Sequence, residues 1–398
     1  MKRHFDDWIN SYLQYTENSE PPQLYKEWVA VSVIAAVLQR KCVLEWGDIL
    51  LYPNMYIVLV GPSGRCRKGT AMSVGAGMLR ELGIKMAAEA ITREALIQEL
   101  NSAESWEGNE AGELTAHSSL TIYSPELVVF LGYDNKSLIS DLTDWYDCRE
   151  RWTYRTKNMG TDDIINVWVN LIGATTPELI QSTLPRDAIG GGLASRIVFV
   201  FEEKKSRSVP LPFSDTNRDI LKGKLVEDLE KIHMMSGKFK IAEDFIDPWV
   251  TWYMEQETNP PFFDDKFSGY NSRRPTHVLK LCMILSASSR TDMVIDKEVL
   301  ERAVNLLERT EVKMPYVFSG VGSARDSDVF GRIMAHIRSK QETSFSQILR
   351  VFHSDLDGAR HLSNIIETLK EMDYARTITT PEKGETKIIA SGDLKKGD

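Results

Sequence analysis

The stretch Leu51–Ser73, LYPNMYIVLVGPSGRCRKGTAMS, decides how the chain is read. Its apolar run Met55-Tyr56-Ile57-Val58-Leu59-Val60 lies between Pro53 and Gly61-Pro62. The run is short, β-branched in character and without polar alternation, which is the pattern of a strand buried on both faces. A glycine-bearing turn follows, then a lysine, then the helix-like Ala71-Met72-Ser73-Val74. Strand, glycine turn with lysine, and helix together form the architecture of a phosphate-binding loop. Small residues let backbone N–H groups close around phosphate oxygens, the helix N-terminus adds partial positive charge, and the lysine reaches the terminal phosphates. The plainer alternative is an ordinary strand-to-helix turn of an α/β protein.

The spacing departs from the standard loop. Lys68 lies seven positions after Gly61, one more than the usual pattern allows. Arg67 stands where the last loop glycine belongs, and Gly69-Thr70 replaces the hydroxyl residue that normally follows the lysine. A Lys-Gly-Thr ending is similar to that of adenylate kinases and gives Thr70 the hydroxyl's role toward a metal ion. The residues expected to hold the nucleotide are Gly61, Pro62, Ser63, Gly64, Arg67, Lys68, Gly69 and Thr70.

At 398 residues the chain has room for two or three domains, and 42% hydrophobic with 26% charged residues is a soluble, globular composition. No apolar run is long enough to span a membrane, and the opening MKRHFDDWINSY lacks the apolar centre of a signal peptide, so a cytoplasmic protein is expected. Four cysteines, Cys42, Cys66, Cys148 and Cys282, lie far apart with no CxxC pair, which indicates neither a zinc site nor a disulfide framework. Cys66 sits inside the loop, as an apolar filler or an oxidisable thiol. A net charge of −9 argues against non-specific coating of nucleic acid but leaves local basic loops open.

Outward from the loop, four regions are expected. Residues 1–50 read as a helical segment, with Trp8, Ile9, Tyr12 and Leu13 on one stripe and Leu24 to Leu38 on another; Cys42–Trp46 is a candidate extra strand. Residues 51–210 alternate helices with strands at 55–60, 119–123, 166–173 and 196–201, as a covered sheet requires, with a polar surface loop at 104–117. Residues 211–318 read as helical throughout, a lid or companion domain, and Ser319–Ser323 as a linker. Residues 325–392 show three amphipathic helices and two short strands, a winged helix-turn-helix pattern in which Arg360, His361 and Asn364 lie on the recognition side.

Several further residues carry chemical meaning. The strand Leu120-Thr121-Ile122-Tyr123 runs into Ser124-Pro125-Glu126, and a carboxylate there is placed to activate water, or merely to favour a helix N-terminus. Pro125 occupies the usual position of a metal-binding aspartate. Trp152 to Asn170 suggests a hairpin tipped by Lys157 and Asn158 with Arg155 behind, which would touch a phosphate backbone in a ring-shaped motor or lie as a solvated surface hairpin. The strand ending Ala174-Thr175-Thr176-Pro177 offers a γ-phosphate sensor. After the glycine run Gly190-Gly191-Gly192, Leu193-Ala194-Ser195-Arg196 enters the strand Ile197–Phe201, and Arg196 is read as an arginine that reaches a neighbour's phosphates, a device worth about 10³–10⁵ in rate.

In this order the segments resemble the ATPase core of MCM-type AAA+ helicases. The resemblance is closer to a family of phage and prophage P-loop ATPases encoded near primases and primase-polymerases, carried by Tyr52-Pro53-Asn54-Met55-Tyr56, by Arg67-Lys68 and by residues 190–201. It covers roughly residues 25–310 and implies an AAA+-like three-layer α/β core binding ATP and Mg²⁺. It also implies that Lys68 contacts phosphates, Glu126 activates water, Thr176 senses the γ-phosphate, Arg196 acts in trans, and Arg273 or Arg274 serves as a lid arginine. The implied protein is a replicative helicase working as a homo-oligomer, in a hexameric ring around single-stranded DNA, with a primase or polymerase partner and no membrane. A nucleotide-binding scaffold or DNA-loading factor with little turnover is the competing expectation, favoured by Pro125 and the altered loop. A small-molecule kinase is disfavoured by the helical region and the C-terminal module.

Overall fold

Tyr56–Val60 forms a strand, and all five of its residues are buried. It is hydrogen-bonded on both sides, to Val167–Thr175 and to Ile197–Phe201, so no face or edge remains for water and only a continuous apolar run satisfies it. The computed structural model describes residues 2–108, 114–132, 135–156, 160–183, 192–211, 216–318, 332–337, 339–340, 342–353, 356, 358–371, 375–379 and 386–390. It is a mixed α/β protein whose chain divides into two compact units, Met1–Phe318 and Ser319–Asp398.

The main sheet of the first unit has the order Glu104–Gly108, Leu114–Ser124, Val167–Thr175, Tyr56–Val60, Ile197–Phe201. Four strands are parallel, and Glu104–Gly108 joins antiparallel at the edge. That edge strand falls where a polar surface loop is expected. Its exposure alternates and its residues are Glu, Ser, Trp, Glu and Gly, so it takes its order from the ladder with Leu114–Ser118 and carries no apolar signal of its own. Residues 109–113 lie outside the described residues.

Helices cover both faces. Gln23–Leu38, expected in a separate N-terminal segment, packs directly on the sheet: Asn170 donates to Ser32 Oγ at 3.1 Å, and every residue but Gln23 is buried. Apolar residues all round, as in AVSVIAAVL, mark a helix enclosed on every side. Lys68–Glu81 lies against it so closely that a Cβ on Gly75 would meet Val29 and Val33 at 2.7 and 2.8 Å. Lys136–Tyr146 covers the other face, where the Tyr56 hydroxyl donates to Leu142 O at 2.8 Å.

The region from 211 to 318 is largely helical: Thr216–His233, Glu243–Thr258, Ser268–Ser289 and Lys297–Glu311. Short strands interrupt it, correcting the all-helical expectation. Gly237–Lys238 adds to Cys42–Trp46 and Ile49–Leu51, and Lys240–Ile241 pairs with Val294–Ile295. Two-residue strands are too short to leave a period in the sequence.

In the second unit, Phe345–Val351 starts with a complete capping box between Ser344 and Gln347, as the sequence predicts for the cap. Glu342–Ser344 is a strand the sequence reading missed, and it completes a three-stranded antiparallel sheet with Thr386–Ala390 and Ala375–Thr379. Ile333, Ile337, Ile348, Leu362, Ile366, Leu369 and Ile388 form the core under it.

The amino ends of the central strands are closed by a buried polar network. Asn54 donates to Tyr146 O (3.0 Å) and Val169 O (3.1 Å), and accepts from Lys280 Nζ at 2.5 Å. Asn170 accepts from Met55 N at 3.1 Å. His277, fully buried, bonds Ser195 O through Nε2 and the Tyr146 hydroxyl through Nδ1, both at 3.2 Å. Desolvation pushes its pKa from 6.5 down to about 3, and burial with the nearby Lys41 and Arg40 pushes His117 down to about 4. Both histidines are therefore neutral in the folded chain and protonate near 6.5 only when it unfolds. Stability is full above about pH 6.5 and falls as pH drops toward 4, by about 1.4 kcal/mol per pH unit for each group. Thermal melts between pH 7.5 and 4.5 are expected to show this loss, and His277→Gln is expected to flatten it while lowering the plateau. An unchanged pH slope in the variant would contradict the assignment.

Candidate functional site

The strands' carboxyl ends bring the predicted loop together with its expected neighbours. Gly61 N donates to Thr175 O at 3.3 Å, so Thr176 lies beside the loop's first residue. Ser124 is level with Gly173 in the parallel register, which puts Glu126 at the same edge. The chain leaves Tyr56–Val60 toward one side of the sheet and leaves Val167–Thr175 toward the other. Such a reversal opens a crevice at the strands' carboxyl ends, where ligands of open α/β sheets bind.

The base of the loop is tightly built. The Tyr25 hydroxyl donates to Val60 O at 2.6 Å, and Cys66 Sγ contacts Glu202 O at 3.0 Å. A Cβ on Gly61 would run into Glu202 O and stand 2.7 Å from the Tyr25 hydroxyl and 2.9 Å from Cys66 Sγ, so only glycine fits. Cys66 is fully buried and burial raises its pKa, which makes it a packing residue and not a reactive thiol. Above this base, Ser63, Gly64 and Arg65 are exposed and Pro62 is partly so.

Arg67 explains its own departure from the glycine pattern. It takes the left-handed conformation, φ 55° and ψ 39°, that the usual glycine supplies without strain. Its side chain is held by Glu20 at 2.7 Å, and Lys205 at 2.5 Å and Val209 N at 3.3 Å hold the same carboxylate. These bonds, that of Lys205 foremost, draw the Glu20 pKa from 4.5 down to about 2. Arg67 therefore braces the loop from outside.

Lys68 opens the helix Lys68–Glu81 and folds back over the loop, donating to Gly61 O at 2.5 Å and Pro62 O at 3.3 Å. Desolvation lowers its pKa, against the raising fields of Cys66, Glu126 and Glu178. Among the described residues its ammonium forms no ion pair, only bonds to neutral carbonyls. Glu126 is the N-cap of Leu127–Leu131, yet its exposed side chain makes no capping bond. Glu178, exposed in the first turn of Pro177–Thr183, was missed by the sequence reading. Its position after Pro177 is explained by the helix dipole alone, and only the fold shows that it shares the Lys68 neighbourhood.

Other predicted residues fall elsewhere. Thr70 lies two positions after Lys68 on one helix, so the two side chains leave it about 200° apart. Thr70 lines a separate cavity with Tyr12, Thr16, Glu20 and Val74. Gly69 is exposed, and a Cβ there meets nothing within 4 Å.

Arg196 precedes its strand and so lies at the amino edge, away from the loop by the length of a five-residue strand, about 16 Å. It is buried, bonded to Asp147 at 2.6 Å and to Gly192 O at 3.0 Å. Arg273 lies 3.5 Å from the same aspartate and is about a third exposed. Arg274 is buried in a two-pronged pair with Glu311, at 2.8 and 2.9 Å. Both sit in the second turn of Ser268–Ser289 and not at its head, because the helix runs through Pro275.

Arg151–Thr156 and Gly160–Ile165 pair as the expected hairpin, with Arg155 exposed. Its tip residues Lys157 and Asn158 lie outside the described residues. Trp145 against Trp152 and Arg93 over Tyr154 anchor the hairpin to neighbouring helices. Arg360 is exposed near the start of Ala359–Glu371 in the second unit. No protein-family model matches the sequence, and no curated protein is significantly similar to it.

The two loop glycines give opposite expectations. Gly61→Ala forces backbone apart and should destabilise by about 1–3 kcal/mol, whereas Gly69→Ala finds open space in a helix and should stabilise by about 0.4–1 kcal/mol. Urea titrations of both variants check this; equal effects would refute the described loop base.

Proposed function

We propose that this chain is an ATP-binding and ATP-hydrolysing protein with a phosphate-loop core of the AAA+ kind, working as an oligomeric DNA motor like the phage-type helicases it resembles. The observation that carries the reading is the placement of the Gly61–Lys68 loop at the switch point of a parallel sheet, with Thr176 beside it and Glu126 on the same edge. A half-buried ammonium bonded only to carbonyls is one that a phosphate would satisfy better. Ser63, Gly64 and Arg65 are exposed, and their backbone N–H groups would be donors for the same group.

In this reading Lys68 holds the terminal phosphates, Thr176 contacts the γ-phosphate, and Glu126 orients and deprotonates the attacking water. Arg273, the more exposed arginine of the Asp147 pair, is the better candidate than Arg196 to act on a neighbouring subunit of a hexameric ring. Arg155 and the hairpin tip would meet single-stranded DNA in the ring's channel. The helices Phe345–Val351 and Ala359–Glu371 and the three-stranded sheet of the second unit support a winged helix, in which Arg360 would meet DNA or a primase or polymerase partner.

The expected Mg²⁺ ligand fits poorly, since Thr70 points away from Lys68 and Pro125 replaces the usual aspartate. These two features favour a second reading, a nucleotide-binding scaffold or loading factor that holds ATP without turnover.

Steady-state ATP hydrolysis, with and without single-stranded DNA, separates the two. The motor reading expects DNA-stimulated turnover, lost at least about tenfold in Lys68→Ala, and cut by about 10²–10⁴ with ATP binding retained in Glu126→Gln. Binding without turnover under any DNA condition would overturn it in favour of the scaffold. Arg155→Glu should weaken DNA binding and reduce its salt dependence.

A further inference from the structure

A second cavity, at the opposite edge of the sheet from the phosphate loop, has an unusual charge arrangement. Its volume is about 350 Å³, within the range of small-molecule sites at about 300–1,000 Å³. Arg40, Lys41, His117, Lys238, Glu107 and Asn166 contribute to its wall. Asn166 sits at the root of the Arg151–Ile165 hairpin, in a left-handed turn with φ 51°, and donates to Ala116 O at 2.7 Å.

Two cations are buried there with little compensation. Arg40, 8% exposed, donates to the backbone carbonyls Cys148 O and Val167 O and stacks over Tyr52, and it has no carboxylate partner among the described residues. Lys41, also 8% exposed, bonds to His233 and has Glu107 at 3.7 Å as its one carboxylate among the described residues. Lys238 at the rim is paired with Glu45. Buried positive charge without matching negative charge is costly, and a bound anion would offset that cost.

His117 supplies an independent sign. It is 3% exposed and lines the cavity, its Nδ1 engages Ser119 Oγ at 2.9 Å, and its Nε2 has no partner. In the tautomer where the Ser119 hydroxyl donates to Nδ1, the proton of the neutral ring lies on Nε2, which would then be an orphan donor on a residue that lines the cavity. An acceptor oxygen carrying negative charge would answer both the orphan donor and Arg40, the cation with no carboxylate among the described residues.

We propose that this cavity is a second anion site, taking a phosphate group of a nucleotide or a nucleic-acid strand at the root of the hairpin. The site is separate from the Gly61–Lys68 loop and does not rest on the ATPase reading. Arg40 and Lys41 supply the charge, His117 Nε2–H and the Asn166 and Thr115 side chains supply directional bonds, and Lys238 meets the ligand at the rim. Glu107 restricts the site to anions that leave its own carboxylate in water.

The test uses the full chain carrying Lys68→Ala, so that the phosphate loop is silenced. Inorganic phosphate, dTMP and a short single-stranded oligonucleotide are titrated at low salt by calorimetry. Saturable binding that weakens at least about tenfold on adding His117→Leu, or on adding the exposed-rim change Lys238→Glu, supports the site. The rim change keeps the test open where the buried one disturbs folding. Tighter binding of the oligonucleotide than of dTMP identifies a strand as the source, and saturation by phosphate or dTMP without competition from the oligonucleotide identifies a free ligand. Absence of saturable binding by all three probes, or binding that neither change weakens, overturns the proposal.

Discussion

The close approach at Gly61 is the constraint on which the first unit depends. Val60 O receives the Tyr25 hydroxyl, Glu202 O reaches over from the end of the neighbouring strand, and Cys66 Sγ closes the third side, leaving no room for a Cβ. One residue thereby ties together the helix Gln23–Leu38, two sheet strands and the loop. The loop's shape is set by packing beneath it, and Arg67 can accept a left-handed backbone because Glu20, Lys205 and Val209 hold it there. What remains exposed, Ser63 to Arg65 with Lys68 above them, is the part a phosphate would meet.

Charge is divided between the two edges of the sheet. At the carboxyl edge Lys68 lies in the field of Glu126 and Glu178, while Arg67 and Lys205 are paired with Glu20. At the amino edge Arg196, Arg273, Lys280, Arg40 and Lys41 gather around few carboxylates, with Asp147 and Glu107 foremost. The hairpin Arg151–Ile165 rises from that basic edge. In the proposed reading a nucleic-acid strand would meet the exposed Arg155 of that hairpin, a local positive charge in a chain of net charge −9.

Sequence reading recovered what local pattern specifies. Strand 56–60 was legible because burial on both faces leaves an unbroken apolar run, and Ser344 because a capping box is a local hydrogen-bond exchange. That the strand ending at Thr175 stands beside the loop was legible in the alternation of helices and strands. The partners of charged side chains were not. Glu20 lies 47 positions from Arg67 and Asp147 lies 49 from Arg196, and no periodicity connects such pairs. Arg196 read as a reaching arginine because its glycine-rich approach suggested reach, whereas Asp147 and Gly192 O hold it inside. Glu104–Gly108 was missed because a strand exposed on both faces at an edge needs no apolar residues. Asn54, part of the motif that carried the family resemblance, turns out to bridge strand ends and Lys280, a structural role sufficient to explain it.

The central claim is that the Gly61–Thr70 segment receives the phosphates of a nucleotide. Hydrogen–deuterium exchange across the full chain, with and without ATP, addresses it most directly, because the loop amides are the proposed donors. Slowed exchange confined to residues 61–70 and the segments around Glu126 and Thr176, abolished by Lys68→Ala, is the predicted result. Unchanged exchange in that segment at saturating ATP, or protection found only elsewhere in the chain, would contradict it.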